Sequence, residues 1–249
     1  MFYHIAFMCW LATALPPLPE EPLTPFEILE RIDRNTVFRT AYSEIDMILT
    51  IETRTLTKTL TSFAEGNDQS FIEFLSPARD KGTKILKTGD IIRVYYPSAE
   101  RVMRLSGHML RQSMMGSDFS FEDMTERATR MREEYDGELL ADQVLDGRPC
   151  YVLMLTTKND KKIYYKRKIW VDRERFLGLQ EELIARSGKV LKVLTVNEVR
   201  QIRNRFYPVR ITMADKLRSN TRTEMIVKKI EFDVAIPPDT FSERNLLKK

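Results

Sequence analysis

An alternation of apolar and polar positions begins at Tyr42. Ile45, Met47, Leu49 and Ile51 fall on one side, and Glu44, Asp46, Ile48, Thr50 and Glu52 on the other. A period of two sends successive side chains to opposite faces, so this run predicts a strand with one face on apolar ground. Residues 55–64 continue the pattern and end at the turn Glu65-Gly66-Asn67-Asp68. Shorter strands follow at 70–75, 83–86, 91–96 and 101–105, separated by Ser76-Pro77, Gly89-Asp90 and Pro97-Ser98. After an interruption they resume at 134–144, 148–157, 162–171, 178–186, 190–201, 207–215 and 222–232. Up to the interruption no helical stretch lies between successive strands to carry a parallel crossover, which predicts an antiparallel meander. A sheet of so many short strands curls rather than staying flat and can enclose a cavity.

Two stretches break the period. Thr24-Pro25-Phe26-Glu27 is a helix opening, with Thr24 as cap, Pro25 at the first position and Glu27 closing a capping box. Phe26, Leu29, Ile32 and Val37 then share a stripe, while Glu30, Arg31 and Arg34 face away, so helix 24–35 should pack on the sheet. The second stretch is 110–124, LRQSMMGSDFSFEDM. Gly116 permits a bend, Ser120 and Asp123 form a second capping box, and Phe119 with Met124 makes its hydrophobic staple. A polar helix should run from there to about Met131. The stretch reads either as a mobile apolar lip or as a turn into an ordinary packed helix.

Composition narrows the class. Apolar residues make up 43% of the 249, enough for a core, and charged residues of mixed sign make up 31%. The net charge of +4 is too diffuse to argue for nucleic acid. Lys158 to Lys168, KNDKKIYYKRK, places Lys162, Tyr164, Lys166 and Lys168 on one face of an expected strand, read as a solvated outer face. Residues 2–11 form a short apolar segment followed by Ala12-Thr13-Ala14, a small-x-small cleavage site, so 1–14 reads as a secretory signal. Cys9 raises the question of a lipid anchor, but Met8 stands where a lipobox carries a small residue. Residues 15–23 are a proline-dense tether, and 24–249 are expected to form one domain. Cys150 is then the lone cysteine of the mature chain, expected as a small buried hydrophobe.

The usual catalytic constellations are missing. Two histidines and no paired cysteine supply no zinc spacing, so neither metal nor cofactor is expected. His108, with Ser113, Ser117 or Ser120 as nucleophile and Asp118 or Asp123 as orienter, is the one hydrolase arrangement available. It lacks the G-x-S-x-G elbow.

Phe74-Leu75-Ser76-Pro77, Lys81-Gly82-Thr83-Lys84-Ile85-Leu86, Tyr95-Tyr96-Pro97 with Arg101 and Arg104, Met115 to Asp123, and Ile236 to Phe241 together resemble the outer-membrane lipoprotein-sorting, LolA-like family. The resemblance runs from about Thr24 to Leu247. It implies a mainly β fold: an incomplete antiparallel barrel, here of about 11 strands, with two or three helices over its concave face. It also implies a periplasmic, non-enzymatic carrier of lipoprotein or lipid acyl chains, served by an inner-membrane exporter and an outer-membrane acceptor. Lid closure in such carriers rests on an arginine of an early strand, for which Arg54, Arg93, Arg101 and Arg104 are the options. On that reading Ile45, Met47, Leu49 and Ile51 line the cavity, and Met114, Met115, Phe119, Phe121 and Met124 form its lip. The alternative from another class is a lipid hydrolase using the same pocket with His108.

Overall fold

Helix α1 (Pro25–Thr36) starts as its sequence dictates. The Glu27 carboxylate accepts from the Thr24 amide and hydroxyl, both at 2.7 Å, and these bonds hold its pKa low. The computed structural model describes residues 23–36, 38–124, 128–159 and 162–248. The expected signal, all but the last residue of the tether, and Val37 lie outside the described residues.

The period-two segments form thirteen strands: β1 (Thr40–Ile51), β2 (Arg54–Glu65), β3 (Gln69–Phe74), β4 (Lys84–Thr88), β5 (Ile91–Tyr96), β6 (Arg101–Leu105), β7 (Tyr135–Leu145), β8 (Arg148–Thr157), β9 (Lys166–Asp172), β10 (Gly178–Ile184), β11 (Val190–Ile202), β12 (Arg205–Asp215) and β13 (Thr221–Phe232). They make one unclosed antiparallel sheet in the order β6-β5-β4-β3-β2-β1-β13-β12-β11-β10-β9-β8-β7. The incomplete barrel of the sequence reading is therefore present, with 13 strands rather than about 11. Helices α2 (Ala128–Glu134) and α3 (Glu243–Leu246) complete the α-helices among the described residues.

This order has a consequence for the cavity. The chain leaves the centre at β1, reaches one edge at β6, and must cross to the opposite edge before β7 leads back to pair β13 with β1. Residues 106–124 and 128–134 lie on that crossing, over one face of the sheet.

Two departures have local causes. The strand expected from Lys162 begins only at Lys166, because Tyr164 turns inward and is buried. Pro208, near the start of the strand expected over 207–215, lies inside β12 opposite Val199, beside register shifts that spare the ladder its missing donor.

Antiparallel register aligns the inner face. One row runs Val196, Ile211, Met225, Met47 and Lys58, and the next runs Leu194, Met213, Thr223, Leu49 and Leu56. The crossing segment packs over the β1 to β6 half, where Met47, Leu60, Phe74, Ile85, Ile92 and Val94 form the core. Helices α1 and α2 pack over the other half, against Leu153, Leu155, Ile169 and Val171. Cys150 is free and buried, as its neighbours in the sequence suggested.

Candidate functional site

The strap 113–124 is a short irregular loop held at three points. Its second capping box forms as expected: the Ser120 amide donates to the Asp123 carboxylate at 2.7 Å, and the Asp123 amide to Ser120 Oγ at 3.4 Å. It closes on itself through the Met114 amide and the Phe119 carbonyl at 2.8 Å. Gly116, at φ +81°, makes the bend, and a Cβ there would stand 3.8 Å from the Leu49 side chain. The backbone thereby lies directly on β1.

Each anchor is a buried charge or carboxylate. Asp118, 4% exposed, accepts from Thr221 Oγ1 at 2.6 Å and Thr223 Oγ1 at 2.7 Å, with Arg218 3.7 Å away. Asp123 accepts from the Tyr164 hydroxyl at 2.9 Å and from Lys192 Nζ at 2.8 Å, tying the strap to the far half of the sheet. Burial, with the Asp123 charge second, pushes the Tyr164 phenol far up and keeps it a donor. Lys58, 2% exposed, donates to the Met115 carbonyl at 2.8 Å and pairs with Asp80 at 2.8 Å. Lys58 is thus one of three cations that hold the strap, with Lys192 on Asp123 and Arg218 on the Ser117 carbonyl. Among the arginines considered, Arg93 pairs with Glu243 at 2.6 Å, and Arg54, Arg101 and Arg104 are exposed.

Beyond the strap, the inner face opens. A cavity of about 160 Å³ lies between α1, α2 and β9 to β11, lined by Leu29, Ile32, Met131, Ile169, Leu194 and Val196 among others. Its floor continues along the register row through half-buried Ile211 and Met225 to buried Met47 beneath the strap, with half-buried Ile45 two residues along β1 on the same face. An apolar track therefore joins the cavity to the strap.

The roof helix carries one strained group. Burial, and then the nearby Glu30, raise Asp33 from the ordinary 3.8 to about 6. A carboxyl with a raised folded pKa opposes folding once ionised, so the penalty is absent below pH ~4, grows with pH and is complete above pH ~6. Asp33→Asn should therefore stabilise the protein at pH 7.5 by about 1 kcal/mol, allowing for solvent screening of a half-exposed group. That is a rise of about 2–4 °C in Tm. Below pH 4 the gain should vanish, and thermal melts showing the same gain at both pH values would refute the account.

The structure brings most of the expected lining residues together, in a filled arrangement. Met47, Leu49, Met114 and Phe121 are buried in one cluster, and Ile45, Met115, Phe119 and Met124 pack against it. Ile51 does not join them: it is 46% exposed at the β1–β2 hairpin, beyond the strap. The strap is also tied by buried polar groups, more than a mobile lip, one of the two readings of 110–124, would carry. The sequence reading missed the cavity residues Leu29, Ile32, Leu194 and Val196. Their signal was present as the apolar stripe of α1 and the alternation in β11, but which face each covered depended on pairing.

The hydrolase constellation is not assembled. His108 is exposed on a 3-10 turn. Ser113 Oγ donates to the Ser117 carbonyl, Ser117 Oγ donates to the Phe119 carbonyl at 3.2 Å, and Ser120 Oγ accepts from Asp123. No group of His, Cys, Asp and Glu side chains suited to a metal occurs among the described residues, nor does any helix long and apolar enough to cross a membrane. The basic segment is largely structural: Arg167 pairs with Glu181 inside the sheet, and Lys168 stacks on Trp170 at 4.4 Å.

An open antiparallel sheet crossed by a strap and roofed by helices is the LolA-like fold, and solved structures match it over most of their length. The first is a DUF1329 family protein from Desulfovibrio piger, 25% identical, with TM-score 0.82, covering 89% of this chain and 97% of that one. The second is a putative outer membrane lipoprotein-sorting protein domain from Vibrio parahaemolyticus, 23% identical, with TM-score 0.81, covering 90% and 98%. A LolA superfamily protein from Nitrosomonas europaea is 24% identical, with TM-score 0.74, covering 90% and 100%. The sequence model of a family described as an uncharacterized protein matches residues 66–248, so the chain belongs to that family. Comparison with curated proteins gave no significant match.

Proposed function

We propose that the protein is a periplasmic, non-enzymatic carrier that shields acyl chains of lipoproteins or lipids on the inner face of its sheet. The observation that carries this reading is the apolar cavity under α1 and α2, continued by the apolar row Val196, Ile211, Met225 and Met47, beside which Ile45 lies two residues along β1 on the same face. An apolar cavity of about 150 Å³ stays dry and admits a ligand the size of benzene. The cavity thus takes about six carbons, which at about 0.8 kcal/mol per methylene gives roughly 5 kcal/mol before ordering costs. A longer chain must follow the floor toward Ile45 or displace the roof. Loading and release then work through the strap and the α1–α2 roof, with donor and acceptor membranes supplying and removing the chain.

Lipid extraction and mass spectrometry of the protein purified from the periplasm test the proposal. Stoichiometric acyl species, or uptake of added fatty acid, are expected. Finding neither would count against a carrier and for a filled envelope protein. Within the strap, Phe119→Asp should impair acyl retention more than folding, because Phe119 is only half-buried. Unfolding of this variant in circular dichroism would show the strap to be plain core.

A further inference from the structure

The end of the sheet where α1 stops carries arginines held against aromatic rings. Asn35, in the last turn of α1, donates to the carbonyls of Arg175 and Phe176 at 2.8 and 3.0 Å and accepts from the Phe206 amide at 3.1 Å. It thereby joins the helix end to the β9–β10 turn and the start of β12. Arg31 lies over the Phe176 ring at 4.7 Å, Arg175 over Phe206 at 5.3 Å, and Arg205 over Phe232 at 5.8 Å. Phe38 and Tyr207 flank the same Phe232 ring at 5.8 and 5.5 Å. Arg34 and Arg39, next to Asn35 and Phe38, point to solvent. Of the carboxylates on this rim, Asp233 pairs with Arg203 at 3.3 Å, Glu174 pairs with Arg148 at 3.0 Å, and Asp33 is half-buried.

The rim adjoins the cavity. Ile32 precedes Asn35 by one helical turn and Gly178 follows Phe176 by two residues, and both line the cavity.

We propose that this rim docks the protein on an anionic phospholipid surface, with arginines on headgroup phosphates and the half-buried Phe176 and Phe206 rings at the interface, while Phe232 is buried behind them. Guanidinium groups stacked on rings are pre-organised forks that match phosphate oxygens bidentately, and aromatic side chains favour the membrane interface. The charge is complementary to anionic lipid. Docking is separable from acyl carriage: it concerns the outside of the molecule, although it would bring the cavity next to the bilayer.

Co-sedimentation of the full chain with vesicles of phosphatidylcholine containing 30% phosphatidylglycerol tests it, with pure phosphatidylcholine as reference. The wild type should bind the anionic vesicles, and binding should fall with salt. Charge reversal of Arg34, Arg39 and Arg175 should weaken binding on the order of 100-fold, at about fivefold for each lost basic contact. Reversal of Arg54, Lys216 and Arg222 at the opposite end changes net charge equally and should have little effect. Thermal melts check that both variants fold. No binding of the wild type, equal loss in both triple variants, or binding only to an acidic polypeptide or nucleic acid would overturn the proposal. Acyl uptake measured in detergent-free solution without vesicles should be the same in the rim variant, so loss of docking and loss of carriage are read separately.

Discussion

Replacing Lys58 with Met should destabilise the protein by about 3–5 kcal/mol, because breaking a buried pair leaves an uncompensated charge. The Asp80 carboxylate would lose its closest cation, leaving only the exposed Arg79 at 3.6 Å, and the Met115 carbonyl would lose its donor. For a chain of this size that is a fall of about 6–20 °C in Tm. The double variant Lys58→Met, Asp80→Leu should recover part of the loss, since replacing both partners avoids the orphaned charge. Hydrogen exchange should quicken first in the strap, 113–121. A Lys58→Met variant melting within about 1 °C of wild type would show that the strap is held elsewhere.

The second large effect concerns the cavity. Leu194→Trp should weaken acyl binding at least about 100-fold, because the indole occupies space worth several methylenes at about 0.8 kcal/mol each. Folding should survive, since a cavity of about 160 Å³ receives the added volume without the overpacking that a full core would suffer. Thr195→Trp is the control, because its side chain points to the opposite face of the same strand. Fluorescent fatty-acid titration of the two variants reads the difference directly. Equal affinities would place the ligand somewhere other than the α1-roofed cavity.

Much of the fold was legible because its signals are local. Every strand-like segment of the sequence became a strand, and both capping boxes, Thr24–Glu27 and Ser120–Asp123, formed as written. What stayed hidden is set by distant pairing. Nothing near Ile45 announces that β1 pairs with β13, and that closure is what sends residues 106–124 across the inner face. Without it, the residues that do line a cavity on α1 and β11 could not be told from those that fill the core beneath the strap. Lys58 illustrates the same limit. It interrupts the apolar pair Leu56 and Leu60 on one face of β2, a visible oddity, but its partners lie 22 residues away at Asp80 and 57 away at Met115.

The most direct measurement is photo-crosslinking with a fatty acid carrying a diazirine near its methyl end, with adducts mapped by peptide mass spectrometry. Adducts are expected on the peptides of α1, β10 and β11 that contain Leu29, Ile32, Leu179, Leu194 and Val196. Adducts confined to the outer face, or none above background at saturating ligand, would contradict a carrier that holds acyl chains on the inner face of its sheet.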